Sequence, residues 1–260
     1  MIQYILICII IFFSIAIEAM TGFGSTVIAV PFLSMIISLK SSVAIMRVFS
    51  MLLGLVVVSM NFKHINFKVL GRVIVLVSLG MPLGIFAINN FPEQPLKLGF
   101  GLFVTGYALI SIFKIFKKNK KSAAELAQME LDLAAKKQNP IFIPLILFIG
   151  GIFQGAFATG GPFIVLYTSR QLKTKAEFRA TMCSVWIILN SFVLIENLIA
   201  GGTYTAEVLN YMLISAVFVV LGFALGYALH KKISMEKFNI LINFVILVSG
   251  LTAIVGAFTA

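Results

Sequence analysis

A chain of 260 residues that is 60% hydrophobic and only 11% charged, with apolar residues gathered in blocks of about twenty, belongs to the membrane class and excludes a soluble core. Its net charge of +11 falls almost wholly in four clusters between apolar blocks. That placement reads as membrane topology and excludes nucleic acid as a partner, leaving the lipid bilayer.

Taken in chain order, charges and helix breakers delimit ten hydrophobic segments: 1–19, 25–39, 42–60, 69–89, 96–116, 141–157, 162–170, 177–199, 206–229 and 238–258. A helix crossing a hydrocarbon layer about 30 Å thick needs about 20 residues, so 25–39 and 162–170 are too short to span alone. The expected fold is an all-α polytopic membrane protein. The first segment, "MIQYILICIIIFFSIAIEAM", has no Lys or Arg ahead of its apolar run and is expected to be retained, not cleaved as a signal peptide. Cys8 and Cys183 lie inside apolar blocks without metal-like spacing, and both read as packing residues.

The basic clusters are Lys63, Lys68 and Arg72; the run from Lys114 to Lys137; Arg170 to Arg179; and Lys231, Lys232 and Lys237. Every basic residue except Lys40, Arg47 and Lys97 falls in one of them. The positive-inside rule makes these clusters cytoplasmic and both termini periplasmic. Segments three to five then run opposite to segments eight to ten, the arrangement of inverted repeats. The expected division is an N-terminal repeat, 1–116, a cytoplasmic linker, 117–139, and a C-terminal repeat, 140–260. At an offset of 136 residues the halves share Gly24/Gly160, Ile28/Ile164, Ala44/Ala180, Met46/Met182, Leu53/Leu189 and Val57/Val193. "GMPLG" at 80–84 also answers "GFALG" at 222–226, with the G-x-x-x-G spacing that lets helices approach closely in lipid.

Two stretches interrupt the apolar pattern at matching places, "EAMTGFGSTVIAVPFLSM" from Glu18 and "QGAFATGGPFIVLYTSR" from Gln154. Each reads as a turn followed by a short helix, so that "TGFGST" and "ATGGPF" become hairpin tips near mid-membrane. Whether the hairpins span or re-enter stays open. Helix N-termini carry free N–H groups and a positive dipole end, and two that converge make an anion site. In that reading Gly22, Gly24, Gly160 and Gly161 admit a ligand to the backbone and the hydroxyls of Ser25, Thr26 and Thr159 donate. Pro31 and Pro162 shape the short helices. The competing reading has these glycines packing and the hydroxyls capping.

Glu18 and Gln154 match in position. A membrane carboxylate is a candidate proton carrier or a cap on backbone donors. Arg47 either supplies charge to the anion path or snorkels to the outer surface. Trp186 and Asn190, one turn apart, line a cavity or join helices. His64 and His230 are expected to be solvated, and Glu196 and Asn197 to reach the interface. With no Asp or His in a span and no G-x-S-x-G, an enzyme is not expected, nor a metal or cofactor. An assembly or receptor subunit would explain the spans but not the paired breaks.

"TGFGSTVIAVPFL", "GGIFQGAFATGGPFIVLYTSR", "GMPLGIFAINNF" and the closing "GLTAIVGA" resemble the sulfite exporter TauE/SafE family over essentially the whole chain. The resemblance implies a bacterial inner-membrane transporter for sulfite or sulfonates such as sulfoacetate. By position it carries over the turn at Gly22 and Gly24 with Pro31, and the turn at Gly160, Gly161 and Pro162. Ser25 stands where family members often continue the glycine run. Export of a small anion is the expected direction, proton-coupled import through Glu18 the alternative, and a homodimer the assembly left open.

Overall fold

The computed structural model describes residues 2–119, 142–229 and 235–259, and among them ten α-helices answer the ten apolar segments. They are α1 (Ile2–Thr21), α2 (Ser25–Leu33), α3 (Leu39–Asn61), α4 (Phe67–Asn90), α5 (Glu93–Asn119), α6 (Phe142–Phe157), α7 (Gly161–Gln171), α8 (Lys175–Ala200), α9 (Ala206–Leu229) and α10 (Met235–Thr259). Most of the linker expected at 117–139 lies outside the described residues, as does His230. Six helices, α1, α3, α4, α5, α8 and α9, are long and apolar enough to cross a membrane. The two short ones, α2 with 9 residues and α7 with 11, climb only about 13 and 16 Å at 1.5 Å per residue.

The segment expected at 25–39 divides: α2 ends at Leu33 and α3 begins at Leu39, ahead of the expected 42. The reason is local. Ser38 caps α3 by accepting from Ser41 N at 3.1 Å, and Glu93 Oε1 accepts from Leu39 N at 2.6 Å while pairing with Lys97 at 3.0 Å. The first amides of α3 thus have acceptors. Thr174 caps α8 in the same manner, accepting from Glu177 N at 3.1 Å.

Glycine sets the closest helix crossings. A Cβ added to Gly80 or Gly84 of α4 would strike the carbonyls of Phe148 or Ile152 of α6, and one added to Gly151 or Gly155 of α6 would strike those of Val77 or Met81. On the other side of the molecule Gly222 and Gly226 of α9 meet the carbonyls of Phe12 and Ala16 of α1. Lipid tails are as apolar as leucine, so close packing of small residues is what drives helices together there. Both crossings are parallel, whereas α5 and α10 pack antiparallel, with Gly101 on Ile254 and Gly250 on Thr105.

At the centre α3 and α8 run antiparallel, with Met46, Leu53, Met182 and Leu189 fully buried or nearly so. Each short helix folds back on the helix before it. Gln3 Nε2 reaches the carbonyl of Ile36 at 3.2 Å, so the chain past α2 has returned to the start of α1, and Gly150 of α6 faces Phe163 of α7. The outward surface exposes Leu79, Leu83, Phe86, Leu213, Val217 and Val220, a face suited to lipid.

Candidate functional site

Both hairpin tips end in left-handed backbone. Gly22 and Gly24 have φ of 86° and 105°, and Ala158 has φ of 54°, the one non-glycine residue with positive φ among those described. Ala158 stands 136 residues after Gly22, and the surrounding bonds repeat at that same offset. Gly22 N donates to Glu18 O at 2.7 Å and Ala158 N to Gln154 O at 3.1 Å; Ile28 N donates to Gly24 O at 3.2 Å and Ile164 N to Gly160 O at 3.1 Å. An alanine in that conformation costs about 1–3 kcal/mol and persists only where its surroundings hold it. Here Thr26 Oγ1 holds it, donating across the halves to Ala158 O at 2.7 Å.

Between the tips lies a cavity of ≈ 10 Å³, room for about one water, lined by Glu18, Gly24, Thr26, Val27, Ser50, Ala158, Thr159, Gly161, Trp186 and Asn190. The first turns of α2 and α7 both face it, and their amides have no intrahelical acceptors. Glu18 is 1% exposed; the hydroxyls of Ser25 and Ser50 both donate to its carboxylate, the latter at 2.5 Å. In the other half Gln154 bridges, its Oε1 accepting from Gly160 N at 3.0 Å and its Nε2 donating to Asn190 Oδ1 at 2.9 Å. Trp186 Nε1 donates to Gly22 O at 2.8 Å, again across the halves. Thr159 Oγ1 is buried without a hydrogen-bond partner.

The residues singled out in the sequence therefore converge, but in different ways. Glu18, Gly24, Thr26, Thr159, Gly161, Trp186 and Asn190 line the cavity. Of the three hydroxyls expected to donate, Ser25 and Thr26 are already engaged with Glu18 and Ala158, which leaves Thr159. Gly160 is tight for a different reason: an added Cβ would stand 2.6 Å from Gly150 O and 2.9 Å from Gln154 Cβ. Pro162 sits in the first turn of α7, where its missing N–H costs nothing. Pro31 interrupts α2 and leaves Val27 O without its usual donor; Ser249 of α10 supplies one, reaching Val27 O at 3.2 Å and Ile28 O at 2.9 Å.

Arg47 does not snorkel. It is 3% exposed, and its Nη2 donates to Gln154 O at 3.3 Å and Gly155 O at 3.0 Å, neutralising the negative end of α6. Glu196 and Asn197, expected at the interface, instead line a second cavity with Arg47, where Thr203 just past the helix end turns back to donate to Asn197 Oδ1 at 3.3 Å. His64 is exposed, in a 3-10 turn. Both cysteines are buried and free.

Three residues escaped the sequence reading. Ser50 bonds Glu18, and Ser249 serves the Pro31 break. Arg179 is 7% exposed, beside Gly22 and over the Tyr227 ring at 5.6 Å, with Nε and Nη2 buried and unpartnered. A signal existed for Ser50, which falls opposite Trp186 at the 136-residue offset. Arg179 was submerged in the basic cluster that marks topology.

The probable inner membrane transporter protein TsaS of Comamonas testosteroni is 22% identical to this chain over 194 residues, 74% of each protein. No solved structure matches. The profile of the sulfite exporter TauE/SafE family matches residues 7–253, nearly the whole length and both tips, and the chain therefore belongs to that family of multi-pass membrane transporters.

Proposed function

We propose that this transporter carries sulfite or a small organosulfonate such as sulfoacetate out of the cell across the bacterial inner membrane, binding the anion between the two hairpin tips. The observation that carries the reading is the cavity itself: two helix N-termini, a free Thr159 hydroxyl, the Asn190 amide and the Trp186 indole gather at one buried point. Unpaired amides and positive dipole ends favour an anion, and the glycines let it reach the backbone. In this role Gly22, Gly24, Gly160 and Gly161 shape the tips, while Ser25, Gln154 and Arg47 hold the surrounding bonds.

Inverted repeats support this reading. Exchanging α1–α5 with α6–α10 maps the α1·α9 crossing onto α6·α4, leaves α3·α8 and α5·α10 on themselves, and pairs the two hairpins. The helix directions agree with cytoplasmic basic clusters and periplasmic termini, with both hairpins re-entrant from opposite sides. Alternating access then follows as rocking of one half on the other around a fixed site.

Proton-coupled import is the second reading, favoured by Glu18, a buried carboxylate on the cavity wall. Flux of labelled sulfite, sulfoacetate and taurine into and out of proteoliposomes, at imposed voltage and imposed pH gradient in turn, tests both. Voltage-driven sulfite or sulfoacetate flux with no response to a pH gradient is the expected result. Accumulation driven by pH alone would replace export with coupled import, and no flux of any of the three compounds would remove the substrate class.

A further inference from the structure

Along the antiparallel α3 and α8 pair, a second cavity lies on the far side of Arg47 from the tips. At ≈ 10 Å³ it holds about one water as it stands, like the cavity between the tips, and Lys40, Val43, Ala44, Arg47, Val193 and Glu196 are among its walls. Two buried polar atoms on these wall residues make no hydrogen bond, Arg47 Nε and Glu196 Oε2, and a third, Tyr204 Oη, lies within electrostatic reach of Arg47 without lining the cavity. A buried unpaired polar atom costs about 1–3 kcal/mol, and three around one side chain are not a packing accident. Arg47 divides its guanidinium between two tasks. Nη2 holds the α6 carbonyls of the second tip, while Nε stays free at the cavity.

Two cations, Lys40 and Arg47, face one carboxylate, Glu196, and that carboxylate closes no ion pair: among the described residues the single ion pair is Glu93 with Lys97. The cavity therefore keeps a positive excess next to unused donors, which selects an anion. Glu196 brings to it the same chemistry as the substrate, oxygen atoms bearing negative charge, but tethered to α8.

We propose that this cavity, once the halves part, is a second anion station, a vestibule in which a sulfite or sulfonate oxyanion leaving the tips meets Arg47 Nε and the Lys40 ammonium, and that Glu196 competes with it for those cations. This rests on the anion-transport reading above but concerns a separate place in the fold. Arg47 then couples the stations, since the group that receives the anion also holds the carbonyl end of α6, one turn before Thr159. Loading the vestibule draws on the same guanidinium that fixes the second tip.

The test is anion-dependent thermal stabilisation of the purified full-length protein in detergent, titrated with sulfite and with sulfoacetate, alongside flux in proteoliposomes. Glu196→Gln keeps the shape and removes the competing charge. It should lower the half-saturating anion concentration about three- to fivefold, the size of a partly exposed charge contact. Lys40→Gln, at an exposed position, should raise it about two- to threefold. An unchanged or higher half-saturation in Glu196→Gln overturns the vestibule; if that variant does not purify, an unchanged value in Lys40→Gln does so. Stabilisation with the expected shifts but no flux would overturn the transport reading and leave the vestibule standing. Stabilisation by neither anion would overturn both.

Discussion

Gly160 and Gly161 are neighbours in sequence with opposite surroundings, and that contrast separates a packing role from a substrate role. A methyl group added at Gly160 meets Gly150 O at 2.6 Å and Gln154 Cβ at 2.9 Å, backbone and a bonded side chain that cannot move aside cheaply. Overpacking of this kind costs about 1–3 kcal/mol, or about 2–12 °C in melting temperature for a chain of this size. A methyl added at Gly161 meets Phe23 Cδ2 and Trp186 Cη2 at 3.7 Å, ordinary contact, and the helix-propensity gain of alanine is offset by Pro162, whose ring disfavours a Cβ on the residue before it in helical backbone. Gly161→Ala should therefore purify with a melting temperature close to that of the wild type. Yet the methyl stands on the cavity wall beside Trp186, and the cavity has room for about one water, roughly the size of the methyl itself. An anion forced past it faces the same penalty of about 1–3 kcal/mol, and flux below saturation falls about tenfold for each 1.4 kcal/mol. Melting curves paired with proteoliposome flux of sulfite or sulfoacetate make the comparison. Wild-type flux in a well-folded Gly161→Ala protein would refute a substrate site between the tips.

Glu18→Gln keeps a partner for Ser25 and Ser50, and Gln154 shows the same side chain accommodated in the opposite half, so voltage-driven flux should survive; loss of pH-driven accumulation with exchange intact would reveal proton coupling instead. Ser249→Ala strips Val27 O of the donor that Pro31 cannot supply, and should lower stability by about 0.6–1.7 kcal/mol in a thermal melt. Cysteines at Ser122 and Thr259 should react with an impermeant reagent in whole cells only at Thr259; the reverse pattern would invert the topology.

Much of this architecture was legible because lipid punishes irregular backbone: ten apolar segments became ten helices, and the two places where the apolar pattern broke became the two tips. G-x-x-x-G at 80–84 and 222–226 foretold the closest crossings, since a missing side chain is visible in sequence even when its partner is not. Partners were the illegible part. Nothing near Ser249 in sequence points to Pro31, 218 positions earlier, and only the Val27 carbonyl left over by the proline connects them. Glu196 looked like an interfacial residue because it lies near a helix end. It lines the Arg47 cavity together with Asn197, which Thr203 past the end of α8 binds, and Arg47 is not near it in the sequence. Arg179 shows the opposite failure, a buried cation hidden among basic residues whose sum carries a different message.

The bonds that join the halves also bear on what drives transport. An anion of sulfur and three oxygens cannot fit where about one water does, so loading must part the tips on one side. Thr26 to Ala158 O joins the tips themselves and yields when they part. Trp186 to Gly22 O lies on the Arg179 side of the cavity and Arg47 to Gly155 O on the Lys40 side, so opening in either direction breaks one of these two and can keep the other. Hydrogen bonds between helices in membranes are worth about 0.6 kcal/mol on average and rarely as much as about 1.7. A monoanion leaving a cell gains roughly 2.3 kcal/mol per 100 mV of membrane potential, which exceeds either latch. Export through such a pair of weak latches therefore needs no coupling ion, whereas import must climb the same gradient and would need the Glu18 proton. On the export reading proposed above, the voltage term alone exceeds the cost of parting either latch, the one set by an indole and the other by a guanidinium.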